Sequence, residues 1–282
     1  MQIAIASGKG GTGKTTVAVN LASVWSRPLT LLDCDVEEPN GHLFLKPKWE
    51  RAVRVSVPLP KVDMELCTSC GDCREACRFN AVVIIAGRPL MLPELCHSCG
   101  ACIRACPTDA ISEVGREIGT LEAGRWKHVS FVHGKLDVGE ARSEPLIEAV
   151  REAGLGSNSD GLILIDAPPG TSCPVIAAVR GSDYLLLVTE PTPFGLHDLM
   201  LAVGMGRALD LPLGVLINRS DIGDDKVREY CRGESIPILA EFPFDRRIAE
   251  CYSRGEIASE ALEDVREMYV ALFDRLLREV SS

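Results

Sequence analysis

Nine residues near the start of the chain, Gly8-Lys9-Gly10-Gly11-Thr12-Gly13-Lys14-Thr15-Thr16, restrict its fold more than any others. They follow the apolar run Ile3-Ala4-Ile5-Ala6 after Ser7 alone. From Gly8 the stretch fits Gly-x-x-x-x-Gly-Lys-Thr, a strand feeding a glycine-rich turn that opens a helix. Glycines let the backbone curl with its amides inward, and the helix N-terminus adds positive potential for an anion. In such a cradle Lys14 reaches the β and γ oxygens of a nucleotide. The Thr15 hydroxyl ligates Mg²⁺ and Thr16 meets the α-phosphate region.

The chain has twelve cysteines, and eight of them fall between Cys67 and Cys106. The first block is Cys67-x2-Cys70-x2-Cys73-x3-Cys77; the second is Cys96-x2-Cys99-x2-Cys102-x3-Cys106, followed by Pro107. In this pattern three close thiolates bind three irons of a cubane, and the fourth cysteine crosses to the other cluster. One [4Fe–4S] cluster is thus expected on Cys67, Cys70, Cys73 and Cys106, and another on Cys96, Cys99, Cys102 and Cys77. Four-cysteine zinc sites are the alternative, but they lack the paired two-two-three spacing. Gly71 and Gly100 suit tight wrapping of a cluster. Arg78 stands where the second block has proline; it either raises the potential of a nearby cluster or forms a surface ion pair. His97 is expected to face solvent or backbone. Residues 60–112 read as a bacterial-type ferredoxin domain, a small α+β insertion.

The rest of the chain alternates strand and helix. Leu29–Leu32 reads as a strand ending at Asp33, Leu162–Ile165 as one ending at Asp166, and Leu213–Ile217 as one ending at Asn218. Tyr184–Val188 and Ile236–Leu239 read as further strands, with Pro237 pushing the last to an edge. Residues 113–133 hold β-like fragments. Helices are expected at 15–25, 140–153, 194–209, 226–231 and 260–279, with a loop at Gly156–Ser159. These patterns predict an α/β domain from 1–59 and 113–282, its mostly parallel sheet flanked by helices. A formal charge of −10 disfavours nucleic-acid binding, and no apolar run reaches the roughly 18 residues of a membrane span. With no export signal in view, the expected location is the cytoplasm.

Lys9 makes the loop more specific. Lys-Gly-Gly-Thr-Gly-Lys-Thr-Thr resembles the deviant Walker A of the ParA/MinD/Mrp/NifH P-loop ATPases. The resemblance implies that two ATP-bound subunits face each other and that Lys9 reaches the partner's phosphates. It places Asp33-Cys34-Asp35 on a first switch, with Asp35 positioning the attacking water and Asp33 supporting Mg²⁺ or the phosphate loop. Helix capping or loop solvation is the plainer reading of both acids, and packing that of Cys34. Asp166-Ala167-Pro168-Pro169-Gly170-Thr171 is similar to the second switch of Mrp-like members. There Asp166 can hold a Mg²⁺-bound water and Gly170 can turn its amide toward the γ-phosphate. The resemblance also gives Asn218 and Pro243 to adenine recognition, with Arg219 and Asp245 as weaker candidates. Cys173 either senses the second switch or simply packs. Residues 134–145 resemble a segment of ferredoxin-containing MinD-like proteins and carry no evident chemistry.

Three functions follow as expectations. The first is an ATP/ADP-dependent electron carrier, a slow and partner-stimulated ATPase with Mg²⁺ and two [4Fe–4S] clusters. The second is an iron–sulfur or metal-centre assembly factor, and the third a spatial organiser. The expected partners are a second copy or a related ATPase, and a redox or metalloprotein.

Overall fold

The computed structural model describes residues 1–157 and 161–280, which divide into two compact units. The larger comprises Met1–Val53, Leu121–Lys135 and Ser143–Ser282; the smaller comprises Arg54–Thr120 and Leu136–Arg142. The 60–112 stretch lies within the smaller one. Eleven strands are described: β1 Gln2–Ala6, β2 Leu29–Asp33, β3 Lys48–Val62, β4 Val82–Ile85, β5 Arg88–Met91, β6 Ile111–Trp126, β7 Val129–Leu136, β8 Leu162–Asp166, β9 Tyr184–Thr189, β10 Leu213–Asn218 and β11 Ile238–Phe242.

The large sheet runs β11-β10-β9-β1-β8-β2-β7-β6-β3. From β11 to β7 every pairing is parallel. That follows from sequence: β2, β8 and β9 are unbroken in Leu, Ile, Val, Thr and Tyr before their ends, and all their residues are buried. Strands apolar on both faces need helices above and below, as parallel crossovers supply. The core is built around Phe131, Ile3, Ile5, Leu31 and Leu164, all at most 1% exposed. The terminal helix Glu263–Val280 buries Val265, Tyr269, Leu272 and Leu276, and its Phe273 stacks on Trp25 with centroids 4.8 Å apart.

Several boundaries differ from expectation. The helix placed at 140–153 is Glu144–Ser157, because Pro145 suits a first turn and the Ser143 carbonyl accepts from Leu146 and Ile147 amides. Gly156 and Ser157 are therefore helical rather than loop, while Asn158 and Ser159 lie outside the described residues. The helix placed at 260–279 breaks at Leu262, which is extended (φ −131°, ψ 115°) and packs on the core. Instead of Ile236–Leu239, the last strand starts after Pro237, whose carbonyl accepts from the Val215 amide at 2.9 Å; β11 is indeed at the sheet edge. The fragments at 113–133 prove to be most of one long hairpin, β6 and β7, turning at Lys127 with φ +50°.

In the smaller unit β4 and β5 pair antiparallel, and two short helices, Asp72–Ala76 and Ala101–Arg104, each start after a left-handed glycine, Gly71 (φ +91°) and Gly100 (φ +70°). Its small core is Cys73, Val82, Cys102 and Ile111. The 134–145 segment gains a role here, since Asp137 binds Arg54 and Glu140 binds Arg116. Among the described residues no helix is long and apolar enough to cross a membrane.

Candidate functional site

Strands β1, β2, β8 and β10 end beside one cleft of about 450 Å³ in the larger unit, where a parallel sheet places its chemistry. The glycine-rich turn forms its floor. Gly11 (φ +79°) and Gly13 (φ +99°) are left-handed, and Gly8 has no room for a side chain against the Asp198 backbone. Gly10, Gly11, Gly13, Lys14, Thr15 and Thr16 line the cleft, as do Asp35, Asn218, Arg219, Pro243 and Asp245. Gly8, Lys9, Thr12, Asp33, Asp166 and Gly170 are not part of its lining.

Lys14 opens the helix Lys14–Val24 and is only 7% exposed. Burial lowers its pKa, opposed by the negative charges of Asp166 and Asp35. Asp166, in register with Ile5 on β1 and Asp33 on β2, has both carboxylate oxygens buried without a hydrogen-bond partner. Burial, and then the charge of Asp33, raises its pKa well above the usual carboxylate range, with the Thr15 hydroxyl and the Lys14 charge acting against the shift. An orphaned buried carboxylate is costly unless a cation completes it. The donor set of Asp166 and the Thr15 hydroxyl therefore fits a hard, oxygen-seeking ion such as Mg²⁺. Asp35 is also raised, chiefly by burial, with Lys14 pulling the other way.

Two expected roles meet different geometry. Asp33 accepts from the amides of Asp35 (3.2 Å), Asn40 (3.1 Å) and Gly41 (2.9 Å), so its carboxylate fastens the turn after β2 and caps the helix Gly41–Leu45. The Gly170 amide donates to the Ser7 carbonyl at 3.0 Å and so is not free for a γ-phosphate here. Cys34 is fully buried, and burial pushes its thiol pKa far up. Cys173 is exposed, at the start of its helix, rather than packed.

Asn218 ties the far side of the cleft to the loop by donating to the Thr12 carbonyl at 2.8 Å. Lys9 and Arg219 both meet Glu190, at 3.4 and 2.8 Å. Glu190 is the residue that sequence reading missed. Its signal was its place, one step beyond the end of β9 and followed by Pro191.

In the smaller unit the eight clustered cysteines divide between two cavities. Cys67, Cys70, Cys73 and Cys106 line one; Cys77, Cys96, Cys99 and Cys102 line the other. The Cys77 and Cys106 sulfurs each accept a backbone amide, from Ala81 and Ala110, at 3.3 Å. Among the described residues no three His, Cys, Asp or Glu side chains converge tightly enough for a single metal ion. A cubane spreads its thiolates over four irons, so four sulfurs around one apolar cavity fit the cluster better than a lone ion. His97 is exposed, as expected, and its ring stacks on Phe79 with centroids 3.9 Å apart.

The family model for the CobQ/CobB/MinD/ParA nucleotide binding domain matches residues 3–258. The chain is 30% identical to the uncharacterized protein MJ0578 of Methanocaldococcus jannaschii over 276 residues, 96% of each chain. It is 27% identical to the iron–sulfur cluster carrier protein of Aquifex aeolicus, covering 99% of this chain and 68% of that one. Among solved structures, the cell division ATPase MinD of Pyrococcus furiosus superposes with a TM-score of 0.60 at 22% identity, over 98% of both chains.

Proposed function

The chain belongs to the CobQ/CobB/MinD/ParA nucleotide-binding family, and from that premise we propose that it couples ATP binding and hydrolysis to electron transfer through two [4Fe–4S] clusters. Lys14 holds the β and γ oxygens, Asp35 orients the attacking water, and Asn218 and Pro243 frame the adenine. Asp166 and Thr15 would hold Mg²⁺, which when bound neutralises charge on the transferred phosphoryl group. Lys9 answers the phosphates of a second subunit, either another copy or a related ATPase.

The partition of the eight cysteines between two cavities is the observation that supports the cluster half of this reading. Each set is three cysteines of one block and the last of the other, the crossed arrangement of a two-cluster ferredoxin. Each cluster, when bound, supplies a one-electron site. The test is anaerobic spectroscopy of the reconstituted protein with ATP, with ADP and with a low-potential acceptor. Gating predicts that the rate of electron delivery differs between nucleotides. Identical cluster signals and rates in every state would sink it.

Similarity to an iron–sulfur cluster carrier protein favours a second reading, ATP-dependent cluster delivery. Iron appearing in an apo-acceptor without net electron transfer would favour that reading over the first.

A further inference from the structure

Glu190 sits at a junction that the proposed chemistry does not use. Its side chain is 9% exposed, and its two oxygens are divided: Oε1 accepts from Arg219 at 2.8 Å, and Oε2 faces the Lys9 ammonium at 3.4 Å. The two contacts are unequal. Arg219 makes a charge-assisted hydrogen bond, whereas Lys9 stands beyond ordinary hydrogen-bonding distance and keeps 32% of its side chain exposed.

The backbones around the pair are fixed. The Lys9 carbonyl accepts from the Ser7 hydroxyl at 2.5 Å, and Gly8 is packed against Asp198. The Glu190 carbonyl accepts from the Thr192 amide at 2.8 Å. Arg219 holds a left-handed conformation (φ +51°), its amide bonded to the Asn218 side chain at 3.0 Å. The Lys9 side chain, the more weakly held of the two, is the one free to exchange partners. Removing every partner from a buried carboxylate is strongly destabilising. Because Arg219 stays, Lys9 can leave without that penalty.

We propose that Glu190 is a positioning residue that parks Lys9 within its own subunit until the phosphates of an ATP-bound second subunit compete for it. The cost of releasing the lysine then sets a threshold for pairing, low enough for triphosphate and too high for chance encounters. This rests on the proposed ATP-dependent pairing, so the test has two independent readouts.

The first is the rate at which an amine-acylating reagent labels Lys9 in the full-length, nucleotide-free protein, followed by mass spectrometry. Glu190→Gln should speed labelling of Lys9 several-fold and leave other exposed lysines unchanged; equal rates overturn the parking role. The second is the protein concentration at which ATP and Mg²⁺ produce dimers, measured by light scattering. Glu190→Gln should lower the midpoint by about tenfold, and Lys9→Ala should cancel that gain in the double variant. An unchanged or higher midpoint overturns the proposal. Faster labelling with no ATP-dependent dimer in any variant, wild type included, would leave parking intact and remove the pairing reading. If Glu190→Gln fails to fold by circular dichroism, Glu190→Asp, one methylene shorter, is read by the same two criteria.

Discussion

The Asn218 side chain donates to the Thr12 carbonyl at 2.8 Å across 206 residues of chain. This bond joins the end of β10 to the glycine-rich turn at the end of β1. The same side chain stands where a Cβ on Gly13 would go, 2.8 Å from its amide nitrogen.

Gly13→Ala is therefore strained twice, by that contact and by φ +99°. Binding of a fluorescent ATP analogue should weaken by more than about tenfold, which corresponds to about 1.4 kcal/mol. Affinity within twofold of wild type would show that the turn can relax without Asn218.

Asp35 faces the cleft and Lys14 acts on its charge. Asp35→Asn should slow ATP hydrolysis by about a hundredfold while leaving nucleotide affinity nearly unchanged. Phosphate release and equilibrium binding, measured on the same preparation, separate the two effects. Parallel losses in both would assign Asp35 to binding instead.

Burial raises the Asp33 carboxyl to about 7 from 3.8, its three amide hydrogen bonds opposing the shift only in part. The sign follows from linkage. The folded state holds this proton more tightly, so its contribution is full below pH 3.8 and is lost as pH rises through about 7. Without nucleotide or metal, the urea midpoint of the wild type should fall over that window more steeply than that of Asp33→Asn. Equal slopes would place the titration elsewhere.

Cys77 and Cys106 test the crossing directly. Each lines the cavity formed by three cysteines of the other block. Cys106→Ser should disturb the Cys67, Cys70 and Cys73 site alone, and Cys77→Ser the Cys96, Cys99 and Cys102 site alone. Anaerobic iron analysis should drop from about eight to about four irons per chain in each variant. The paramagnetic spectra of the two variants should differ. Loss of the same signal in both would contradict separate sites.

What could be read from sequence was local. The strand, turn and helix around Lys14 are contiguous, and burial on both faces leaves the unbroken runs of β2, β8 and β9 little other choice. The cysteine spacing carries its own geometry. β3 was hidden although Val53, Val55, Val57 and Leu59 alternate with Arg54, Ser56 and Pro58, because the polar, exposed start at Trp49, Glu50 and Arg51 and the prolines Pro58 and Pro60 read against a strand. An outermost strand tolerates that composition, since one of its edges needs no partner and neither face needs full burial. Glu190 was hidden for another reason. Its partners Lys9 and Arg219 are distant in sequence and meet it only after β1, β9 and β10 have aligned.

β3 and β6 are neighbours in the sheet, and Gly124 leaves space only for the Lys48 backbone across from it. The chain thus departs toward its cysteine-rich portion and returns from it along adjacent rails. Pairing of β3 with β6 holds the two ends of that portion close together, and its length adds only a slowly growing entropic cost. Such a junction predicts that the cysteine-bearing segment behaves as a cassette. A bare two-residue turn, or a different small module with close termini, should be accommodated in its place while the nucleotide fold keeps its stability.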